Sequence, residues 1–396
     1  MKTVPFRQCV RCVMDTTDPE IQFDENGICN NCSQCLEKKE ELRTRRKLGS
    51  EYLDKIIEKI KEDGKHKKYD AILGISGGID SCYAAYILKT LGVRTLLVHL
   101  DNGWNSNQAN ENIKTMAAKL NFDYYSFVLD WEEFRDVQLA FLKASVVEAE
   151  TPTDVAIMGA LHRVAAKFGV KHIISGGNEA TEGILPRMWH YNAKDTKYFN
   201  YIQKTYGSKA LRKFPGFSFF TEFYFKFVRG IRITYLLNYT DYNKDEAIRF
   251  LQEEFNWKYY GGKHYESHFT KFVQSYLLPK KFDLDYRKAA LSNQICSGQI
   301  SREAALKELA TPASREEDVE KQKLYISKKL KISLDELNHI IDLPGKYYYE
   351  YPNDEKRLDF IYKVYRRYFS NNISTLAFKT ITYADLIATC FNIIPG

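Results

Sequence analysis

The stretch Ile72-Leu-Gly-Ile-Ser76-Gly77-Gly78-Ile79-Asp80-Ser81 decides the fold of this chain. The apolar run from Ala71 to Ile75 is typical of a buried parallel strand. It ends in Ser-Gly-Gly, and a helical pattern follows from Asp80 to Leu91. A glycine-rich turn lets the backbone approach an anion, and a helix N-terminus offers that anion free N–H groups and a favourable dipole. The stretch therefore predicts a strand, an anion-binding turn and a helix.

The turn is not a Walker A loop, because the closing Gly-Lys-Ser/Thr of that motif is missing. Ser76–Ser81 instead resembles the pyrophosphate loop (PP-loop), SGGxDS, of the ATP-pyrophosphatases, which cleave ATP to AMP and pyrophosphate. The residues alone leave one alternative open, a plain tight turn between a strand and a helix.

The composition is that of an ordinary globular protein, with 396 residues, 44% hydrophobic and 28% charged. This length allows two or three domains. The net charge of +7 suits an enzyme of phosphorylated substrates as well as a protein that touches nucleic acid. No apolar run of about 18 residues is present, and the N-terminus lacks an apolar signal core, so we expect a cytoplasmic protein without a membrane span.

Five of the eight cysteines lie in the first 35 residues, which favours a metal site over disulfides. Cys9-x2-Cys12 and Cys29-x2-Cys32 match a zinc ribbon, in which four thiolates hold a structural Zn²⁺. Cys35 forms an overlapping pair with Cys32 and could replace it or stay free. The alternative is a set of reduced thiols without a metal.

Strands and helices alternate from Lys68 onward, which predicts an α/β fold with a parallel sheet and helices on both faces. The predicted strands are Tyr69–Ile75, Arg94–Leu100, Tyr124–Leu129 and His172–Ser175. The predicted helices are Asp80–Leu91, Gln108–Leu120, Trp131–Ala149 and Asp154–Phe168. Ligands of such sheets bind at the carboxyl ends of the strands, so the informative residues should follow each strand.

Polar residues do follow the predicted strands. Asp101 and Trp104 come after the second strand, where nucleotide enzymes of this class hold the adenosine. Gly176 and Asn178 belong to a second glycine turn after the fourth strand and are further candidates for binding the nucleotide. The alternatives are a turn role for Asp101 and a packing role for Trp104.

Two further groups of residues could carry chemistry. The segment 259–267 combines a Gly-Gly pair with Lys263, His264 and Glu266, which offer a cation, an acid and a base. The segment 278–288 is dense in cations that could bind phosphates. Its candidates are Lys280, Lys281, Arg287 and Lys288. Each cation taken alone could equally be a solvated surface residue.

The chain divides into four predicted parts. Residues 1–36 form the zinc-ribbon module, 37–67 a helical connector, 68–183 the PP-loop domain, and 184–396 a mainly helical region for substrate or partner. Within the last part we expect a helix over Phe217–Leu237 whose aromatic run packs in the core.

Taken together, the chain resembles the bacterial N-acetyl sugar amidotransferases of lipopolysaccharide O-antigen and pseudaminic or legionaminic acid biosynthesis. The resemblance covers roughly residues 4–310 and rests on six motifs. These are Cys9-Val-Arg-Cys12-Val-Met-Asp-Thr-Thr17 with Cys29-x2-Cys32, Gly74–Ser81, His99-Leu-Asp-Asn-Gly-Trp104, Ser175-Gly-Gly-Asn178, Gly262-Lys-His-Tyr-Glu-Ser267 and Leu284-Asp-Tyr-Arg-Lys288. The implied fold is a PP-loop ATP-pyrophosphatase domain, similar to the adenine nucleotide alpha hydrolases, with an N-terminal zinc ribbon and a mainly helical C-terminal region.

The resemblance implies that an acetamido group of a sugar, free or nucleotide-activated such as UDP-linked, becomes an acetamidino group. The amide oxygen attacks the α-phosphate of ATP, and ammonia then displaces AMP. The implied roles divide among three sets of residues. The leaving pyrophosphate is stabilised by the backbone of Gly77, Gly78 and Ile79 and by the hydroxyls of Ser76 and Ser81. Asp80 holds Mg²⁺ or orients the loop. The adenosine is held by Asp101 and Trp104. Lys263, His264, Lys280, Arg287 and Lys288 are candidate cations for substrate or pyrophosphate.

No glutaminase is visible in the sequence, because neither Cys82 nor Cys296 has the context of a catalytic nucleophile. We therefore expect a separate glutaminase that resembles the histidine-pathway subunit and delivers ammonia through a tunnel. One rival is a tRNA-modifying PP-loop enzyme of the thiolase or lysidine type, although the sequence has no obvious stripe of Lys and Arg. A second rival is a non-enzymatic zinc-ribbon protein with a regulatory nucleotide site.

Overall fold

The structure, a computed structural model, describes residues 5–47, 50–260 and 265–365. The chain up to Asn353 forms one compact unit, and a second unit begins at Asp354. Within the second unit the described part contains one helix, Glu355–Tyr365. The boundaries predicted at residues 36, 67 and 183 all lie inside the first unit and stay predictions.

The first unit is built around a parallel sheet of five strands in the order β3-β2-β1-β4-β5. The strands are β1 Ala71–Gly74, β2 Thr95–Asp101, β3 Asp123–Val128, β4 His172–Ser175 and β5 Arg232–Tyr235. Leu73 of the central strand is in register with Leu97 on one side and with Ile174 on the other. Because the order reverses direction at β1, the carboxyl ends of β1 and β4 meet at the switch point where ligands of such sheets bind.

Helices cover both faces of the sheet and form the rest of the unit. The helices of the first unit are α1 Asn30–Lys47, α2 Ser50–Gly64, α3 Ile79–Thr90, α4 Asn107–Leu120, α5 Trp131–Lys143, α6 Thr151–Lys167, α7 Glu179–Glu182, α8 Thr196–Tyr206, α9 Phe219–Phe223, α10 Lys244–Phe255, α11 His268–Phe272, α12 Leu278–Phe282, α13 Tyr286–Cys296, α14 Arg302–Leu309, α15 Glu316–Leu330 and α16 Leu334–Asp342. Two π-helical turns, Tyr224–Val228 and Val273–Leu277, continue α9 and α11, and short 3₁₀ turns lie at Leu236–Tyr239 and Tyr348–Glu350.

The core lies on both faces of β1 because its successive side chains point to opposite sides. Leu73 belongs to a buried cluster with Leu88 of α3 and Met116 of α4. Its neighbour Ile72 belongs to a different buried cluster, with Val164 of α6. The predicted α/β architecture with helices on both faces of a parallel sheet is therefore confirmed.

One strand was not predicted. The helix predicted over Phe217–Leu237 is replaced by α9, a π-helical turn and then β5. Gly230 has a φ of +67°, a conformation that glycine adopts readily and that ends the helix before the strand begins. Core packing of the aromatic run is confirmed only in part: Phe217 is buried and Phe225 packs against the core, whereas Phe220, Tyr224 and Phe227 are exposed.

Two segments predicted to be helical differ in detail from their predictions. The helix predicted over Trp131–Ala149 ends at Lys143, and Ser145 beyond it has a φ of +58°. The helical connector contains two described helices, α1 and α2, rather than one. Among the described residues no helix is both long and apolar enough to cross a membrane.

The N-terminal module is fastened to α13 and α14. The ammonium of Lys288 lies 2.7 Å from a carboxylate oxygen of the buried Asp15. The Arg302 guanidinium donates hydrogen bonds to the carbonyls of Cys9 and Cys12 at 3.1 and 3.0 Å. A small module of this kind has little core of its own, so these contacts hold it to the rest of the first unit.

Candidate active site and thiol cluster

The turn after β1 has the geometry of an anion-binding loop. The Ser76 and Ser81 hydroxyl oxygens lie 3.3 Å apart, and the Ser76 hydroxyl accepts a hydrogen bond from the Gly78 N–H at 3.2 Å. Helix α3 starts at Ile79, and no side chain caps its N-terminus among the described residues. The N–H groups of its first turn are thus left for a ligand.

The loop is anchored through the backbone carbonyl of Gly77. That oxygen accepts hydrogen bonds from the indole N–H of Trp257 at 3.0 Å and from the Asn112 amide at 3.3 Å. Gly77 has a φ of +82°, and a Cβ there would lie 2.4 Å from the Ala109 carbonyl oxygen. Only glycine fits this position without moving the backbone.

A second glycine turn closes against the first at the switch point. A Cβ on Gly176, which follows β4, would lie 2.7 Å from the Ser81 backbone nitrogen. The two turns are therefore packed backbone to backbone. This contact explains why the sequence has a glycine at each strand end.

Aromatic hydroxyls and carboxylates surround the start of α3. The Tyr242 phenol donates a hydrogen bond to Asp80 Oδ1. Burial, together with the Asp80 carboxylate, raises the pKa of Tyr242 well above its usual value. Burial and the Glu266 carboxylate likewise raise the pKa of Tyr260. Both phenols therefore remain protonated donors at neutral pH.

A cavity of about 560 Å³ opens above the loop, a volume within the range of ligand sites. Its lining includes six carboxylates and one lysine among the described residues. The polar and loop residues that line it include Ser76, Gly78, Ile79, Asp80, Ser81, His99, Asn102, Glu148, Glu150, Asp154, Gly176, Glu182, His190, Lys244, Tyr260, Glu266, Thr270, Tyr286 and Gln294.

One wall of the cavity carries an ion pair. Glu148 Oε1 lies 2.9 Å from the Tyr286 hydroxyl, and Glu148 Oε2 lies 3.4 Å from His190 Nδ1. Burial acts to lower the pKa of His190, but the Glu148 carboxylate outweighs it and raises that pKa to about 9. Glu150 and Asp154 line the same cavity near the start of α6. This wall can stabilise a positively charged group or accept a proton.

The thiols of Cys9, Cys12, Cys29 and Cys32 form a separate buried cluster, with all sulfur atoms within 4.8 Å of one another. The Cys9–Cys32 and Cys12–Cys29 sulfur distances are 3.9 and 3.7 Å. A tetrahedral site with zinc–sulfur bonds of about 2.3 Å has sulfur–sulfur edges of roughly 3.8 Å, so these thiols can hold a metal ion.

Two family models match the chain in adjacent regions. Residues 67–180 match the model described as thiamine biosynthesis protein (ThiI). Residues 266–367 match the C-terminal domain of WbpG-like lipopolysaccharide (LPS) biosynthesis proteins. The two matches bear out the resemblance seen in the sequence at this level: residues 67–180 are similar to a PP-loop domain, and residues 266–367 are similar to a domain of LPS biosynthesis proteins.

A tRNA(Ile)-lysidine synthase from Chlamydia pneumoniae is 36% identical over 75 residues, or 18% of this chain. That stretch spans 23% of the length of the relative. The similarity to this curated protein is therefore local.

Solved structures with partial similarity include two synthetases and one thiolase. NMN synthetase from Francisella tularensis is 18% identical, covering 54% of this chain and 98% of that chain with a TM-score of 0.27. NH3-dependent NAD synthetase from Campylobacter jejuni is 16% identical, covering 62% and 92% with a TM-score of 0.30. The U34-tRNA thiolase NcsA from Methanococcus maripaludis is 16% identical, covering 76% and 88% with a TM-score of 0.32. At these TM-scores the likenesses carry no argument about this chain.

The structure brings most of the predicted PP-loop residues together. Ser76, Gly78, Ile79, Asp80 and Ser81 line the cavity, while Gly77 shapes the loop from below. Gly176 also lines the cavity, from the second turn. The candidates Lys263 and His264 lie outside the described residues.

Three residues predicted to bind the nucleotide make structural contacts, and their binding roles stay predictions. Trp104 is fully buried and packs against Phe269, with ring centroids 5.1 Å apart. Asp101 accepts a hydrogen bond from the Gly103 N–H at 3.0 Å, and Asn178 caps α7. The side chains of Asp101, Trp104 and Asn178 are not part of the cavity lining.

The predicted substrate cations also lie away from the cavity lining. Lys280 pairs with Asp342 at 2.8 Å, Arg287 pairs with Asp285 at 2.7 Å, and Lys288 pairs with Asp15. Each of these cations is thus paired with a carboxylate, and the binding roles predicted for them stay predictions. Lys244 lines the cavity but was not predicted.

Sequence reasoning also missed Glu148, His190, Tyr242 and Tyr286. These residues come from separate parts of the chain, and only Tyr286 lies within one of the six motifs, where it was not singled out. One signal was available near the missed acids, because Glu150 and Asp154 are four residues apart around the start of α6 and so share a helix face. The predicted segment 259–267 was partly informative, since Tyr260, Glu266 and Ser267 line the cavity.

Proposed function

We propose that the chain is an ATP-dependent amidotransferase that converts an acetamido group of a sugar to an acetamidino group and releases AMP and pyrophosphate. One observation carries the proposal. The cavity is walled by the PP-loop, from the region that matches ThiI, and by Thr270, Tyr286 and Gln294, from the region that matches WbpG-like proteins. ATP and an LPS-pathway sugar would therefore meet in one cavity.

At the loop, the sugar amide oxygen attacks the α-phosphorus of ATP, and the bond from that phosphorus to pyrophosphate breaks. Negative charge develops on the leaving pyrophosphate. The N–H groups of Gly78 and Ile79 and the hydroxyls of Ser76 and Ser81 are suited to stabilise it. The products of this step are an adenylyl imidate and pyrophosphate.

Magnesium fits the donor set at the start of α3. Mg²⁺ prefers carboxylate and phosphate oxygens, and Asp80 offers a carboxylate beside the loop. A bound Mg²⁺ would neutralise phosphate charge and polarise the phosphates. Tyr242 keeps the Asp80 carboxylate oriented through its hydrogen bond.

At the opposite wall, ammonia attacks the imidate carbon, and the bond from that carbon to the AMP oxygen breaks. The acetamidino product gains a proton and a positive charge. Glu148, Glu150 and Asp154 line this part of the cavity and suit both an ammonium ion and a cationic product. In this proposal Glu148 accepts the proton that ammonium gives up before the attack.

Ammonia would come from a separate glutaminase similar to the histidine-pathway subunit. A glutaminase cysteine must be a reactive thiolate, but Cys82 is fully buried and burial raises the pKa of its thiol. Cys296 belongs to the neighbourhood of the thiol cluster. Neither is suited to attack glutamine, which supports an external source.

The Cys9, Cys12, Cys29 and Cys32 thiolates would hold a structural zinc ion in this proposal. Their full burial and their sulfur distances fit a closed four-thiolate site. The module that carries the cluster is held to α13 by Lys288 and to α14 by Arg302, and the four cysteines do not line the cavity. Zinc would therefore stabilise the module and take no part in the reaction.

The test is to incubate the protein with Mg-ATP, ammonium at high concentration and UDP-linked diacetamido sugars. We expect release of AMP and pyrophosphate together with a sugar product whose mass falls by the replacement of O with NH. Omitting ammonium should stop formation of the acetamidino sugar. ATP turnover that ignores every acetamido sugar would overturn the proposal.

A second candidate function is tRNA modification, favoured by the local match to tRNA(Ile)-lysidine synthase. Adenylation of a base oxygen would use the same loop. The same assay with tRNA in place of the sugar separates the two functions. Turnover stimulated by tRNA and not by sugar would establish this candidate.

A further inference from the structure

A fifth thiol lies beside the metal-binding cluster. Cys296 is the last residue of α13, and its sulfur is 3.7 Å from the sulfur of Cys32, a residue 264 positions earlier. Both side chains are buried. The contact brings a thiol of α13 next to one proposed metal ligand of the N-terminal module.

The spacing of Cys296 is that of a ligand. The sulfur distances inside the cluster are 3.9 Å for Cys9–Cys32 and 3.7 Å for Cys12–Cys29. Cys296 is thus as close to Cys32 as the cluster thiols are to one another. It lies outside the group of four cysteines whose sulfur atoms are all within 4.8 Å of one another, and its contact is with Cys32.

Cys35, the other nearby thiol, contacts an amide as well as the Cys296 side chain. Its sulfur lies 3.6 Å from the Asn293 amide oxygen, which also accepts a hydrogen bond from the Ile184 N–H at 2.7 Å. Asn293 in turn donates to the carbonyls of Ile184 and Ala289. Cys35 therefore contacts the Asn293 amide, which its other hydrogen bonds hold in place.

We propose that Cys296 is a fifth thiol of the metal centre and that it replaces Cys32 as a ligand when Cys32 leaves the metal. The inference rests on the proposed metal site of the four cysteines. In the exchange, the bond from the metal to the Cys32 sulfur breaks and a bond to the Cys296 sulfur forms. The proton of the Cys296 thiol passes to the departing Cys32 thiolate, so charge is conserved.

The exchange would join the metal to α13 directly. Tyr286 and Gln294 of the same helix line the cavity. Gln294 is only 7% exposed, and its amide makes no hydrogen bond to any residue in the described part of the chain. The alternative ligand set would therefore connect the metal to a helix that lines the cavity.

The test compares metal content per chain after exposure to a competing chelator. Wild type, Cys12→Ser, Cys32→Ser, Cys32→Ser/Cys296→Ser and Cys32→Ser/Cys35→Ser are measured as full-length proteins. We expect Cys12→Ser to lose its metal because no fifth thiol contacts Cys12. Cys32→Ser and Cys32→Ser/Cys35→Ser should keep about one metal ion, and Cys32→Ser/Cys296→Ser should bind it roughly 10- to 100-fold more weakly.

A second measurement does not depend on the folding of Cys12→Ser. Co²⁺ loaded into Cys32→Ser should keep the thiolate-to-metal absorption of a four-sulfur site, and Cys32→Ser/Cys296→Ser should lose part of it. If Cys32→Ser already loses the metal and this absorption while wild type keeps both, the role of Cys296 is overturned and the metal site stands. If wild type binds no metal, the metal site itself is overturned. Retention in Cys32→Ser/Cys296→Ser but not in Cys32→Ser/Cys35→Ser would assign the role to Cys35 and overturn the proposal.

Discussion

Tyr242 donates a hydrogen bond to the carboxylate of Asp80, joining a residue beyond the sheet to the first turn of α3 across 162 positions of sequence. Tyr242 is 6% exposed, and its raised pKa keeps the phenol protonated. The orientation of the one carboxylate in the PP-loop thus depends on a donor that no loop motif contains.

Replacing Asp80 by alanine should abolish AMP release, because the proposed reaction needs a carboxylate at the phosphates. The fold should survive, and circular dichroism with thermal unfolding checks this. Glu111→Ala, at an exposed acid on α4, is the matched control and should keep full turnover. Retained turnover in Asp80→Ala would remove Asp80 from the reaction.

Tyr242→Phe should lower kcat for AMP release about tenfold, since a hydrogen bond to a charged group contributes roughly 1.5–3 kcal/mol. The Mg²⁺ concentration needed for half-maximal rate should rise as well, which a purely structural role would not change. Tyr83→Phe is the control, because the Tyr83 ring packs 5.7 Å from the Tyr242 ring and its hydroxyl makes no hydrogen bond among the described residues. Equal rates for the two variants would contradict the orienting role.

Gly176→Ala should reduce AMP release by at least about 100-fold, because the new methyl group would meet the Ser81 nitrogen at 2.7 Å. The two glycine turns would have to separate, and the loop would lose its shape. Gly216→Ala, where no atom lies within 4 Å of the added methyl group, should leave the rate unchanged. The prediction fails if both variants turn over at the wild-type rate.

Glu148→Gln should lower the pKa of His190 from about 9 toward its usual value, because the carboxylate is what raises it. Histidine-labelled NMR across a pH titration measures this directly. In the folded chain the His190 cation is lost as the pH rises through about 9, whereas in the unfolded chain it is lost near the ordinary histidine pKa. The ion pair therefore contributes its full stabilisation below the ordinary histidine pKa, and this contribution is lost as the pH rises through about 9. At 43% exposure of His190 this contribution is small, about 0.2–1 kcal/mol. An unchanged titration in Glu148→Gln would show that another group sets the pKa.

Lys288→Met should destabilise the chain by about 3 kcal/mol in urea unfolding, since the Asp15 carboxylate would stay buried without its cation. The matched control is Lys280→Met, which breaks an exposed pair with Asp342 and should cost under about 1 kcal/mol. The same sugar KM in Lys288→Met and wild type would agree with a structural role. A raised KM with unchanged stability would restore Lys288 as a substrate residue.

Local sequence was enough to predict the sheet and the loop. The hydrophobic run of β1, the glycines and the start of α3 are adjacent in the chain, so their pattern specifies strand, turn and helix together. The two Cys-x2-Cys pairs were predictable for the same reason, because the knuckle spacing is local.

The rest of the site depends on contacts that no local pattern records. Glu148, His190 and Tyr286 meet from three separate segments, and only Tyr286 lies in a sequence motif. The carboxylate partners of the cations at 280–288, such as Asp15 and Asp342, are distant in the chain, so local sequence could not show these ion pairs. β5 was missed because the aromatic run before it is helical and only Gly230 marks the break.

The hydrogen bond from Trp257 to the Gly77 carbonyl has a consequence for synthesis. The loop motif leaves the ribosome 180 residues before the indole that anchors it. A nascent chain can therefore pair β1, β2, β3 and β4 well before its loop has the final shape. The loop therefore gains this anchor only after a residue that follows the whole sheet has been synthesised.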